Sequence, residues 1–523
     1  MTKRASVLDD GWTRRVTLGL VVVILTGSAF LRLLHIDQPF DDVVSWRQAD
    51  DATIADNFFR GHLNIFLPEI SWNGPGPNYV GYEFQLTTYL AALLYHLFGQ
   101  ADWVGRGISV FFGVWGVFAF YNLVCRAFNR LQALLSCGVL AVMPSCIFVD
   151  RSFLPDPVMV SLVITSLWML LAYLQDRRPR YLGWSIGIGT FGLLTKISGL
   201  IVVVPVAYMV FSLLPADRDI RLRYVTRLLT ASILMLTPVI AYYVWAIHVS
   251  HAYPPYHVAA KNNWVWDGRF TNWLEADYFL PDLFRIAKLL WGVPLLALAF
   301  VGLLFPLVEG GRSELRWFFH FWLLGGAIYY AFGAQELSIN IWNFHIVDPA
   351  LAGLAAQGLL LAGAALARLR LPLFGQAAVI VIIVATHGFE MSRLGWVYRP
   401  YARQSYELGA ALARVSQPSE LVVTVADAIG DPVAIYYSRR HGWVFPPAWP
   451  GIDWTADIVD ASEAIKLFDQ LRFAGAKWFG IVSAQRNKIA ASTPQLLVHI
   501  ESTAERIYED RDWEIYRIRP LPK

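Results

Sequence analysis

Apolar and polar residues alternate along this chain in long blocks rather than in the short amphipathic period of a soluble protein. Runs of about 20 mostly apolar residues, the length that crosses a bilayer as helix, recur through the first three quarters. They predict spans near 16–35, 104–125, 132–149, 156–175, 181–195, 198–214, 228–248, 284–307, 317–334, 345–366 and 372–388, about 11 in all. Between the first two lies a polar loop, 36–103, opening on Phe40-Asp41-Asp42 and Ser45-Trp46-Arg47-Gln48-Ala49-Asp50-Asp51. Inside that loop Ser45–Phe59 has helical character with Ser45 as its cap, so that Arg47 shares a face with Asp50 and Asp51. Glu83 to Gly99 is apolar and aromatic and reads as a juxtamembrane helix lying in the interface.

After about residue 390 the pattern changes. Leu421–Val425, Val433–Tyr437, Trp478–Val482 and Trp513–Ile518 read as strands, and Ala461–Phe473 has a helical period. The expected organisation is a polytopic α-helical membrane domain over 1–390, whose 36–103 segment is its first loop, followed by a small α/β domain over 391–523; the side on which both lie is non-cytoplasmic by the charge pattern below, and periplasmic by the resemblance that follows it.

Composition agrees with this reading. Of the 523 residues, 56% are apolar and only 16% charged, against roughly 25% charged in soluble proteins. The net charge of +3 gives no reason to expect a nucleic-acid partner. The position of the basic residues says more than their number. If Glu83–Gly99 does not span, Arg126, Arg130, Arg177, Arg178, Arg180, Arg218, Arg221, Arg223, Arg227, Arg312, Arg316, Arg368 and Arg370 all fall on the side of the N-terminus. That is the cytoplasmic side by the positive-inside rule. The first loop, the turns around Arg151–Asp156 and Lys196, the aromatic loop 249–283, the turn 335–345 and the tail then lie on the opposite side. Cys125, Cys137 and Cys146 fall in or beside apolar spans at no metal-site spacing, and read as small packing residues.

The candidate chemistry collects on that opposite side. Asp41, Asp42, Asp50 and Glu83 are acids pressed against a membrane, where charge is costly unless paired or used. They suit a general base or the oxygen ligands of a divalent ion. Arg106, Arg151 and Lys196 suit a phosphate. Lys196 interrupts two apolar stretches and needs an anionic partner, while Arg151 and Asp156 flank a tight turn and suit an ion pair. Trp264, Trp266, Trp273 and Tyr278 suit sugar rings or the interface.

In this order the residues resemble a known family. A first helix, an acidic loop, a Glu83-Phe84…Leu97-Phe98-Gly99 helix and a span entered at Arg106 come first. An Arg151-Ser152-Phe153-Leu154-Pro155-Asp156-Pro157 turn and a Leu193-Leu194-Thr195-Lys196 pair of short spans follow. The set resembles the GT-C glycosyltransferases, in the bacterial branch of protein O-mannosyltransferases and the lipid A aminoarabinose transferase. The resemblance implies a bacterial inner-membrane enzyme with its active site on the periplasmic side. Such an enzyme moves a sugar from a polyprenyl-phosphate donor to a periplasmic glycan, lipid or protein, usually with inversion. It implies a catalytic first-loop aspartate at Asp42 or Asp50, with Asp41, Glu83, Arg47 and Asp156 around it. Arg106, Arg151, Lys196 and His345 are implied at the donor phosphate, with His345 placed by the similarity of Asn343-Phe344-His345 to the family's Pro-His-Tyr turn. It also implies, in some members, a divalent Mg, Mn or Zn ion, here on Asp50, Asp42 and Glu83. The family's Lys-Pro-Pro is replaced by Tyr82-Glu83-Phe84, which moves the phosphate-binding role to the other cations. A pyrophosphate-dependent O-antigen polymerase or ligase would carry its key residues in a late loop, and a transporter would show repeated halves.

Overall fold

A computed structural model describes residues 9–253, 276–306, 313–368, 388, 392, 394–449, 452 and 460–520. The span expected at 372–388, apart from Gly388, and Trp264, Trp266 and Trp273 of the aromatic loop lie outside the described residues, as does the Tyr278 side chain. The chain divides into two compact units: Met1–Ile36, Arg106–Tyr242 and Asn262–Gly395 in the first, Asp37–Gly105, Tyr243–Lys261 and Trp396–Lys523 in the second.

In chain order the helices up to residue 368 are α1 (Asp9–Leu33), α2 (Ser45–Arg60), α3 (Leu86–Phe98), α4 (Asp102–Ala127), α5 (Arg130–Val142), α6 (Pro144–Arg151), α7 (Asp156–Asp176), α8 (Pro179–Thr195), α9 (Val203–Ser212), α10 (Arg218–Ala252), α11 (Ala276–Leu290), α12 (Val293–Leu304), α13 (Phe318–Ile339) and α14 (Asp348–Arg368). Helix therefore occupies ten of the eleven places where the pattern predicted a span. Among the described residues five helical segments are long and apolar enough to cross a bilayer, or up to seven if the bent pairs α5–α6 and α11–α12 each count as one. The bend between α5 and α6 is 60° and falls at Met143-Pro144, where proline removes a backbone donor. α3 has 13 residues, about 20 Å of helix at 1.5 Å per residue and short of a ~30 Å hydrocarbon core.

The first unit is a helical bundle around one large apolar core that includes Phe120, Met143, Leu171, Phe319, Trp322 and Leu354. At one end of it Arg126 pairs with Asp176 and Arg177 lies 4.1 Å over the Tyr224 ring. Two of the arginines that the sequence pattern grouped on one side, Arg126 and Arg177, thus lie where the ends of α4, α7 and α10 meet.

The second unit is built on a six-stranded sheet. Its strands are β1 (Asn73–Gly74), β2 (Leu421–Val425), β3 (Gly442–Val444), β4 (Ala476–Val482), β5 (Ala504–Glu509) and β6 (Trp513–Ile518), in the order β1-β3-β2-β4-β6-β5. β3, β2 and β4 are parallel and the other pairings antiparallel. Alternate residues supply the two faces. Val422, Trp478 and Ile515 pack under α15 (Arg403–Val415) and α16 (Val433–Ser438), while Val423, Phe479 and Tyr516 pack under α17 (Ala461–Phe473) and α19 (Pro494–Thr503), which follows α18 (Ser483–Ser492).

Three expectations are corrected here. Val433–Tyr437 is helical, not a strand: Asp431 accepts from Val433 N at 2.9 Å, and Pro432 precedes the first turn. Ser45 does not cap α2; Val44 holds that position, with no side-chain capping bond. Asp156 closes no turn with Arg151, because it pairs with Lys196 instead. The division into compact units passes after Gly395, and the unit that takes the tail also takes the first loop. β1 pairs Asn73 with Trp443 and Gly74 with Gly442, and Ile54, Phe58, Ile70, Trp72 and Tyr82 share one core with Leu412, Val422 and Ile515. Gly81 fits this packing only as glycine: a Cβ there would lie 2.1 Å from both Ala246 O and Ser250 Oγ.

Candidate functional site

α2 presents Arg47, Asp50 and Asp51 on one face, as the i,i+3 and i,i+4 spacing requires. Arg47 Nη1 lies 3.4 Å from Asp50 Oδ2, and Nη2 lies 3.2 Å from Asp51 Oδ1. Glu83, 36 residues further on, closes the group with a second ion pair to Arg47 Nη2. Trp72, buried at the end of the strand-like segment before β1, donates its indole N–H to Asp50 Oδ1 at 2.8 Å. Tyr82 also donates to Asp50, and its ring lies 5.3 Å under the Arg47 guanidinium.

The electrostatics follow from burial. Asp50 and Asp51 are 4% and 2% exposed and Glu83 is 7%, so their charge is held by partners rather than by water. Burial pushes the Asp50 carboxyl above its ordinary value, and Arg47, Trp72 and Tyr82 only partly offset it. Burial works against the Arg47 charge, yet Asp51, Glu83 and Asp50 outweigh it and hold the guanidinium protonated. The result is a carboxylate with raised basicity, one oxygen fixed by an indole, beside a permanent cation. That is what a general base needs.

The other two first-loop candidates are differently employed. Asp42 Oδ1 accepts from Gln48 Nε2 at 2.7 Å and from Val44 N at 3.2 Å, which organises the entry to α2. Asp41 accepts from Gln38 at 2.9 Å, and Arg403 of α15 approaches it to 3.6 Å. It fastens the loop to the tail.

Arg106, Arg151, Asp156, Lys196 and His345 belong to the helical unit. Lys196 Nζ binds both oxygens of Asp156, at 2.7 and 2.8 Å, and Asn343 Oδ1 at 2.6 Å. The anionic partner that its position demands is therefore Asp156. Arg106 and Arg151 are fully buried and reach the carbonyls of Ile36 and His35. His345 lies between two carboxylates: Nε2 is 3.0 Å from Asp150 Oδ1 and Nδ1 is 2.8 Å from Asp348 Oδ2. With both ring nitrogens so engaged, it is poorly disposed to take a phosphate as well.

Trp72, Asp150, Asp348 and Cys146 did not stand out in the sequence. Only Asp348 had a local signal, the i,i+3 spacing to His345. Cys146 is not plain packing, because its Sγ lies 3.3 Å from Asp348 Oδ2. Among the described residues, the group of three or more metal-ligating side chains that converges is Cys146, His345 and Asp348. In the first loop, Arg47 already supplies a positive charge among the acids.

Residues 85–245 match the family described as dolichyl-phosphate-mannose-protein mannosyltransferase. No curated protein matches the sequence. Among solved structures the fold is similar to ArnT from Cupriavidus metallidurans bound to undecaprenyl phosphate. That protein is 14% identical, over 95% of this chain and 98% of that one, with a TM-score of 0.64. The oligosaccharyltransferase of Archaeoglobus fulgidus in complex with Zn and sulfate is 14% identical over 96% of this chain and 74% of that one, TM-score 0.60. The arabinofuranosyltransferase AftD from Mycobacteria is 14% identical over 95% of this chain and 40% of that one, TM-score 0.57. Fold and matched segment define the class, a multi-pass helical membrane protein of GT-C architecture. The matched segment is under a third of the chain, and at 14% identity the likeness to these structures is one of fold.

Proposed function

We propose that this protein is a GT-C glycosyltransferase, an enzyme that moves a sugar from a polyprenyl-phosphate carrier to a hydroxyl or similar acceptor, with inversion at the anomeric carbon, on the periplasmic side of a bacterial inner membrane. α3 then lies in the interface, and the bundle crosses the bilayer about 11 times. Asp50 is the base that takes the acceptor proton as the acceptor attacks. Arg47 and Glu83 hold the charge around it, and Trp72 aims it. The observation that supports this reading is the buried Asp50 carboxylate, fixed through one oxygen and raised in basicity.

The leaving phosphate gains charge in the transition state, and a fixed cation in a water-poor site stabilises it better than water does. Lys196 is the candidate for that role, being partly exposed where Arg106 and Arg151 are buried; to meet a phosphate its ammonium exchanges one of its contacts to Asp156 and Asn343. The undecaprenyl phosphate bound by ArnT supports a donor of this lipid class. The acceptor class stays with the glycan, lipid or protein expected from the sequence.

The test is incubation of purified protein with a panel of polyprenyl-phosphate sugars, reading free carrier lipid by mass spectrometry. The wild type should release carrier from at least one donor. Asp50→Asn should lower turnover by about 10²–10⁴-fold, the span of a general-base contribution, without lowering the amount of folded protein. Full activity in that variant would rule the loop out as the catalytic centre.

A further inference from the structure

We propose that Cys146, His345 and Asp348 form a binding site for one divalent transition-metal ion, zinc by the nature of its ligands. The site belongs to the helical unit and does not depend on the sugar-transfer reading.

The three side chains come from three elements: α6, the 3-10 turn Ile341–Val347, and the first residue of α14. All are buried, and their donor atoms lie within 4.8 Å of one another. Two of them aim at the same atom, since His345 Nδ1 and Cys146 Sγ stand 2.8 and 3.3 Å from Asp348 Oδ2. A single dication in place of the two protons that meet there draws sulfur, nitrogen and oxygen into its shell. Thiolate, imidazole and carboxylate together select zinc or cobalt over magnesium or calcium. Three protein ligands leave a fourth position open, and a cavity of about 10 Å³ bordered by Cys146, Asp150 and His345 against Gly113 and Gly116 of α4 is at the lower limit for a single water.

The surroundings have the form of an outer ligand shell. Asp150 Oδ1 stands 3.0 Å from His345 Nε2. It fixes the tautomer that leaves Nδ1 with its lone pair, as a carboxylate behind a metal-bound histidine does. Trp291 donates to Asp348 Oδ1 at 2.6 Å, reserving Oδ2 for the ion. Arg32 donates to Asp150 Oδ2 at 2.8 Å, and to Ser28 Oγ and Ala141 O, so the outer carboxylate is itself held. Charge balances as well. A dication with the Cys146 thiolate, Asp348, Asp150 and Arg32 sums to neutrality, as does the metal-free set with a thiol and an imidazolium. The exchange of one dication for two protons leaves no net charge in a medium where unbalanced charge is expensive.

The experiment uses the full chain in detergent, stripped with a chelator, loaded with Co2+ or Zn2+ alone and desalted. Metal content is read by mass spectrometry and cobalt–thiolate coordination by its charge-transfer absorption. The wild type should retain one equivalent and show the band. Cys146→Ala and His345→Gln should lose the equivalent, Cys146→Ala should lose the band, and Cys137→Ala should keep both. A wild-type chain with no retained equivalent and no thiolate band overturns the proposal whatever the variants do. So does a folded Cys146→Ala chain that keeps the band.

Discussion

Trp72 makes Asp50 more than another acid near a membrane. Its indole donates to the charged form of the carboxylate and so pulls against the raising effect of burial. Trp72→Phe removes that pull and lets the Asp50 value rise further. Activity that needs ionised Asp50 is lost as pH falls through that value, so the acid limb of the rate–pH profile should move to higher pH. A lost hydrogen bond to a charge, roughly 1.5–3 kcal/mol, corresponds to a shift of about 1–2 pH units. The check is the pH profile of carrier release. An unmoved limb with lowered protein yield would mean a merely structural tryptophan.

Lys196 invites a different test at the same scale. The Asp156 side chain is 1% exposed and the Lys196 side chain 16%, so Lys196→Ala strands a buried carboxylate. Breaking such a pair from one side costs roughly 3–5 kcal/mol. Thermal unfolding in detergent should show Lys196→Ala well below the wild type. A Lys196→Met, Asp156→Asn double variant should recover much of the loss.

At the scale of elements, α2 was legible because its chemistry is local: Arg47 meets Asp50 and Asp51 within one turn. Glu83 was legible as an acid but not as a partner, since the chain between folds back through β1 before returning to it. Trp72 had no signal, because a tryptophan in a loop says nothing of what its N–H reaches. The bundle was legible from hydrophobic run length alone. α16 was misread because Val433-Ala434-Ile435-Tyr436-Tyr437 is rich in strand formers, although Asp431-Pro432 ahead of it is a helix-start signal.

The same turn holds a proton. Ser405 Oγ, at the start of α15, accepts from Asp427 N at 3.0 Å and lies 2.7 Å from Asp427 Oδ2 and 3.1 Å from Asp431 Oδ2. One hydroxyl hydrogen serves one carboxylate at a time, so the pair is best satisfied when one carboxyl carries a proton. Burial, with Asp427 adding to it, pushes Asp431 up to about 7. Its unfolded value is about 3.9, so the folded chain holds a proton that the unfolded chain releases between these limits. The stabilising contribution is complete below the lower limit and fades as pH rises through the upper one. Asp431→Asn should shrink the fall in melting temperature between pH 5.5 and pH 8.5, read by scanning fluorimetry at each pH.

At the scale of the whole molecule, the first loop and the tail form one folded unit. Ala402 N donates to Asp41 O at 2.8 Å, Phe40 N to the Tyr437 hydroxyl at 2.6 Å, and Gly442 N and Val444 N to Ser71 O and Trp72 O at 3.0 and 3.2 Å. A chain ending at Gly395 loses every one of these bonds and the sheet on which Trp72 leans. Such a chain should insert and accumulate, yet release no carrier lipid from a donor that the full chain uses. Activity surviving in it would reduce the tail to an accessory.

The pairing of Asn73–Gly74 with Gly442–Trp443 also sets a schedule. At roughly 5–20 residues per second of synthesis, the ribosome delivers β3 on the order of 20–70 s after β1. For that interval the acidic loop waits without the strand it pairs with. If the first loop carries the chemistry proposed above, a message cut short yields an inert remnant, and the last-made segment is the one that switches the first-made segment on.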